Sequence, residues 1–250
     1  RAQFLLGECC AFGRGVPQDE EKAITCYQHA AEGGYAVAQS RLGYHYLYGQ
    51  GAVQNREQAF LWLSKGAAQA EPAAQCFLGE CYEFGYGTEK DLRQALGLYR
   101  QSAGQQYAPA QCNLGFCYYV GIGTEVDEQE AVRWFELSAQ QQYPRAQYLL
   151  GQCLMLGRGA QKDPAKASEY LSLAANAGHA AAQVDLGWYY ESGTGVEINK
   201  KKAVELYRLA ATQGSAAGRC NLGFCYYMGI GIETDEQEAV RWFTLAAEQQ

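Results

Sequence analysis

The chain has 250 residues and a net charge of −7, with 20 Lys and Arg against 27 Asp and Glu. That balance excludes the basic footprint of a nucleic-acid or anionic-membrane binder. At 48% apolar and 19% charged residues the chain is too hydrophobic to be disordered, yet no apolar run reaches the roughly 18 residues of a bilayer crossing.

From Arg1 onward the pattern is helical. Apolar spacing predicts a first helix over about 2–12, a Gly13-x-Gly15 break, an Asp19 N-cap, and a second helix over about 20–32 that stops at Gly33-Gly34. The same series then recurs every 36 residues without an insertion. A Leu-Gly pair places its glycine at Gly7, Gly43, Gly79, Gly115, Gly151, Gly187 and Gly223. A Gly-x-Gly begins six residues later each time, from Gly13/Gly15 to Gly229/Gly231. An in-phase Asp or Asn follows (Asp19, Asn55, Asp91, Asp127, Asp163, Asn199, Asp235), then an alanine four residues on, from Ala23 to Ala239. Markers that agree over seven units identify a tandem array, with units at about 1–36, 37–72, 73–108, 109–144, 145–180, 181–216 and 217–250. Pro72, Pro109 and Pro144 are expected in the inter-repeat turns. Strand alternation is absent. The expected fold class is all-α, a solenoid of seven two-helix repeats.

Small residues at Gly7 and its equivalents, and at Ala23, Ala30 and Ala31, are expected to let helices approach to roughly 8–9 Å. Tyr46, Tyr82, Tyr118, Tyr190 and Tyr226 are expected to fill the space between them. On this model Gly115→Leu overpacks the contact, at a cost of about 1–3 kcal/mol.

The unit A-Q-x-x-L-G-x-x-Y-x-x-G-x-G, then D/N-x-x-K/Q/E-A-x-x-x-Y/F and A-A, resembles the Sel-1-like repeat family, a relative of the tetratricopeptide repeats with a longer loop between its helices. The fourth unit displays it from Ala110-Gln111 through Leu114-Gly115 and Tyr118 to Gly121-Ile122-Gly123. Gly218-Arg219 stands where the seventh Ala-Gln would be, and Cys10 and Leu154 replace the tyrosine. The resemblance implies a right-handed superhelix whose concave side, lined by the first helices, holds peptides or partner proteins. Family members act as adaptors, and the resemblance implies no enzyme activity. Residues 112–142 and 220–250 differ at only six of 31 positions, which suggests duplication of a three-repeat block. With no initiator Met, no targeting signal and no capping helix after the last unit, a fragment of a longer protein is expected.

Groove residues are expected one and four positions after each Leu-Gly glycine. They are Glu8 and Ala11, Tyr44 and Leu47, Glu80 and Glu83, Phe116 and Tyr119, Gln152 and Met155, Trp188 and Glu191, Phe224 and Tyr227. Exposed aromatics are what protein interfaces favour, and the glutamates point to a basic or amine-bearing partner. The competing expectation is that the aromatics pack against neighbouring repeats.

Catalytic, metal and cofactor signals are missing from the sequence. Cysteine pairs five apart (Cys76/Cys81, Cys112/Cys117, Cys220/Cys225) lie roughly 8–9 Å apart on one helix, beyond disulfide reach. Cys9, Cys81, Cys117, Cys153 and Cys225 are expected as small buried hydrophobes, with redox or metal chemistry between stacked repeats as the alternative. By resemblance, the bridging cysteines of a cysteine-rich branch are absent here, which favours a reducing compartment. The Gly-x-Gly loops lack a preceding strand and a Walker lysine, so they are read as structural caps, and no cofactor is expected. Partners are expected to be protein or peptide, with no nucleic acid and no direct membrane contact. Two alternatives stay open: a small-molecule (β-lactam-like) binder or hydrolase, as suggested for cysteine-rich relatives, and a structural spacer.

Overall fold

A computed structural model describes residues 1–248, so the last two residues of the duplicated block, Gln249 and Gln250, lie outside the described residues. Among the described residues there are fourteen helices and no strand. The first helices of the units are α1 (Ala2–Phe12), α3 (Ala36–Tyr48), α5 (Pro72–Phe84), α7 (Ala108–Val120), α9 (Pro144–Leu156), α11 (Ala180–Ser192) and α13 (Ala216–Met228). The second helices are α2 (Glu20–Glu32), α4 (Arg56–Ala68), α6 (Leu92–Gly104), α8 (Glu128–Gln140), α10 (Pro164–Asn176), α12 (Lys200–Thr212) and α14 (Glu236–Ala247). The fold is an all-α repeat solenoid. Helices α1–α7 belong to one packing unit, Arg1–Val126, and α8–α14 to a second that begins at Asp127. Within each, every helix packs on the next in the chain, and first helices also meet one another, α3 with α5, α5 with α7 and α11 with α13.

The helix boundaries follow from their caps. Each in-phase Asp or Asn accepts a hydrogen bond from an amide in the first turn of its second helix, such as Lys22 N to Asp19 at 3.0 Å and Lys202 N to Asn199 at 3.0 Å. The first glycine of each loop ends the first helix in the left-handed region, as Gly193 does at φ 78°. The prolines differ from expectation. Pro72 and Pro144 open α5 and α9, and Pro109 sits in the first turn of α7. A first-turn amide has no intrahelical partner to lose, so proline starts these helices instead of occupying the turns before them.

The glycine of the Leu-Gly pair is buried against the second helix of its own unit. A Cβ on Gly7, Gly43, Gly79, Gly151, Gly187 or Gly223 would lie 2.6–2.9 Å from a side-chain carbon of Tyr27, Leu63, Tyr99, Leu171, Tyr207 or Phe243, respectively. The space-filling residue therefore comes from the second helix, four positions after its alanine. The tyrosine row from the first helices is half-buried at the edge of the core. There Tyr190 accepts from Lys202 Nζ at 2.7 Å and Tyr226 from Arg208 Nη2 at 3.2 Å.

The glutamine of the Ala-Gln pair is exposed at Gln3 in the first unit, as in most proteins, but buried in the next five. Gln183 donates to the Ala175 carbonyl at 3.1 Å and accepts from Gln213 Nε2 at 2.8 Å, tying the end of α10 to α11 and to the end of α12. Gln39 bridges Ala31 and Gln69 in the same way, at 3.1 and 2.8 Å. Where Arg219 replaces this glutamine, its guanidinium donates to the Ala211 and Leu245 carbonyls at 3.4 and 2.8 Å, so the tie survives the change of residue.

Candidate functional site

An α-helix turns about 100° per residue, and the Leu-Gly glycine points at the second helix. The position one residue later then faces about 100° away, whereas the position four later lies only about 40° from the glycine direction. The expected groove residues divide along that line. Leu47, four after Gly43, is 2% exposed and belongs to the core with Ala59, Leu63 and Leu78, so it is not a groove residue. Glu83 and Glu191 turn toward the second helix and accept the Tyr99 and Tyr207 hydroxyls at 2.6 and 3.0 Å. Met155 is partly buried at the rim of the core, and Ala11 and Tyr119 are half-buried. Tyr227 differs from the rest of its row, at 57% exposed.

The row one residue after the glycine faces outward more consistently. Trp188 and Phe224 are 52% and 47% exposed, and Tyr44 and Phe116 are half-buried. Tyr44 meets Phe77 and Tyr48 in tilted ring contacts at centroid distances of 5.1 and 4.9 Å, so this aromatic also packs against the next repeat. Glu8 accepts the Tyr27 hydroxyl at 2.7 Å and pairs with Arg41 at 3.5 Å. Glu80 accepts from the Tyr48 hydroxyl and from Asn113 Nδ2. Gln152 donates to Tyr148 Oη at 2.5 Å and to Asp185 Oδ2 at 3.3 Å.

Two rows that the sequence reading passed over complete the face. They lie two residues before and five after the glycine, at about 160° and 140° from it. The first carries Arg41, Phe77, Asn113, Asp185 and Asn221. The second carries Phe12, Tyr48, Phe84, Leu156 and Met228, all exposed large side chains. The signal was present, since residue five is one helical turn beyond residue one.

In the first packing unit this face holds a cleft of about 370 Å³ lined by Val37, Ser40, Arg41, Tyr44, Phe77 and Tyr107. In the second, Met155, Leu156, Asp185, Trp188, Tyr189 and Asn221 line a cleft of about 520 Å³. Burial raises the Asp185 carboxyl above the usual range, against the hydrogen bonds from Gln152 and Tyr148 that lower it. Burial, with the Asp185 charge second, pushes the Tyr189 hydroxyl up to about 12. The duplicated block thus has two settings: Asn113 bonds Glu80 at 3.2 Å in one, and Asn221 shares a cleft with Asp185 in the other.

Cysteine positions suit packing more than reaction. Cys81, Cys117, Cys153 and Cys225 are buried, and desolvation pushes the Cys81, Cys153 and Cys225 thiols up to about 12, 11 and 11. Cys9, expected to be buried with them, is partly exposed. Among the described residues no group of three or more His, Cys, Asp or Glu could hold a metal, and no helix is long and apolar enough to cross a membrane.

The Sel1 repeat model matches residues 1–35, 36–71, 72–107, 108–143, 144–179, 180–215 and 216–250. No curated protein matches the chain. A Sel1 repeat protein from Oxalobacter formigenes is similar at 29% identity and TM-score 0.82, covering 98% of this chain and 97% of its own. A protective antigen of uropathogenic Escherichia coli displaying an SLR fold is similar at 29% identity and TM-score 0.76 over 99% of this chain. The chain spans 53% of that protein's length. An immunity protein from Pseudomonas aeruginosa, at 22% identity and TM-score 0.58 over 85% of this chain and 81% of its own, shares the fold. Matched in every one of its seven units, the chain belongs to the Sel1 repeat family.

Proposed function

We propose that the chain is a non-enzymatic adaptor that holds a partner protein or an extended peptide on the face its first helices share within each packing unit. Sel1 repeat proteins are generally protein-interaction scaffolds and typically not enzymes. The observation that carries the reading is exposed Leu156 and half-exposed Trp188 in one cleft with Asp185 and Asn221, with half-exposed Phe224 and exposed Met228 on the next first helix, α13. Exposed apolar side chains occur elsewhere on the chain too, but apolar groups gathered beside polar ones in a cleft are the kind of patch that marks a contact site.

Selection of a displayed random-peptide library on the intact chain tests this. Binders are expected for the wild type and are lost from a Trp188→Ala/Phe224→Ala double variant whose Tm falls by less than about 4 °C. A double variant that unfolds makes these residues core and overturns the reading. Turnover of nitrocefin by the wild type would favour the hydrolase alternative.

A further inference from the structure

We propose that the cleft bounded by α9, α11 and α13 is an arginine subsite, in which the Asp185 carboxylate pairs with the guanidinium of a basic peptide and the Trp188 indole stacks on its plane. The inference rests on reading the first-helix face as a peptide surface and adds the chemistry of its occupant.

Asp185 and Trp188 are three residues apart on α11, so both side chains leave the same side of the helix and line the same cleft. Asp185 is partly buried, and both of its hydrogen-bond donors, the Gln152 amide at 3.3 Å and the Tyr148 hydroxyl, are neutral. Among the described residues no Lys, Arg or His nitrogen lies within 4.0 Å of it, although exposed Lys162 lines the same cleft. A carboxylate taken from water without a cation is costly, and a cationic ligand offsets that cost. Burial alone already lifts this carboxyl above its ordinary range, as expected of an acid that lacks a counter-ion.

The surroundings select guanidinium over ammonium. A guanidinium offers a planar fork to the carboxylate and stacks on an indole, whereas an ammonium is a strongly hydrated point charge. Met155 and Leu156 provide an apolar wall for the methylene stem. The volume of about 520 Å³ leaves room for the side chain and its flanking backbone. The net charge of −7 favours encounter with a basic partner.

The test uses the full chain, labelled with ¹⁵N, and an acetylated alanine-based heptapeptide with one central arginine. The Trp188 indole N–H signal, assigned with Trp188→Phe, reports binding. The arginine peptide is expected to shift it. The citrulline peptide, which keeps the shape and loses the charge, is expected to bind at least about tenfold more weakly. Asp185→Asn is expected to lose the arginine preference with a Tm equal to or above that of the wild type, because it removes a desolvated charge. Equal binding of arginine and citrulline peptides, or an arginine preference retained in Asp185→Asn, overturns the proposal and leaves the peptide-binding face standing. Failure of any peptide, charged or neutral, to move the Trp188 signal overturns both.

Discussion

Gly187 shows what a missing Cβ does in this architecture. Its nearest neighbour is the Tyr207 ring, 2.6 Å from where a Cβ would sit, and Tyr207 is itself fully buried with its hydroxyl held by Glu191. Neither partner can retreat without breaking that hydrogen bond. Gly187→Leu should therefore cost about 1–3 kcal/mol, read as a lower urea midpoint with an unchanged m value. Gly97→Ala, on α6 with open space around its Cβ, should be neutral or stabilising by up to about 1 kcal/mol. The demand for a small residue was legible from recurrence alone. Its partner was not, because a repeating tyrosine on the first helix is as well suited to fill the gap as an aromatic or leucine on the other. Only the angle of the glycine decides between Tyr190 and Tyr207.

At the scale of the element, the Gly-x-Gly loop does two jobs with two glycines. Gly193 ends α11, and a Cβ there would meet the flexible Ile198 side chain at 2.9 Å. Gly195 has φ 71° and abuts the start of α10 in the preceding repeat, where a Cβ would come 2.3 Å from the Pro164 carbonyl oxygen. Backbone cannot yield as a side-chain tip can. Gly195→Ala is therefore expected to lower the Tm more than Gly193→Ala, by a difference of about 1–3 kcal/mol in stability, measured on the two variants side by side. Gly87, Gly123, Gly159 and Gly231 make the same approach, with Cβ distances of 2.0–2.3 Å to a carbonyl oxygen. Reading the loop as a cap recovered the first glycine's task. The second glycine's task depends on a helix in the previous repeat, some thirty residues upstream, and no local pattern encodes that.

At the scale of the whole molecule, each helix depends on neighbours close in sequence. Helix α5 packs on α3, α4, α6 and α7, while the chief partner of α1 is α2. Stability in such arrays is a sum of repeat and neighbour terms. Native-state hydrogen exchange should therefore find α5 amides protected longer than those of α1, and equal protection would contradict nearest-neighbour packing. The seven-repeat fold was legible because four markers recur in phase. The candidate face was legible only in part. Trp188 and Phe224 are exposed where counting one residue from the glycine puts them, whereas Leu47 lies in the core and Glu83 and Glu191 bond second-helix tyrosines, because three further residues bring a side chain back toward the second helix. Asp185 went unnoticed, since an isolated aspartate carries no periodic signal and its character comes from the cleft around it.

The twin segments 112–142 and 220–250 give this a wider meaning. The same asparagine is anchored to a glutamate in one copy and bounds an acid-and-indole hollow in the other. What differs is the first helix of the preceding unit, α5 in one case and α11 in the other. A gene assembled from interchangeable modules can thus change the lining of a hollow by reordering the bricks, with little change to any one brick.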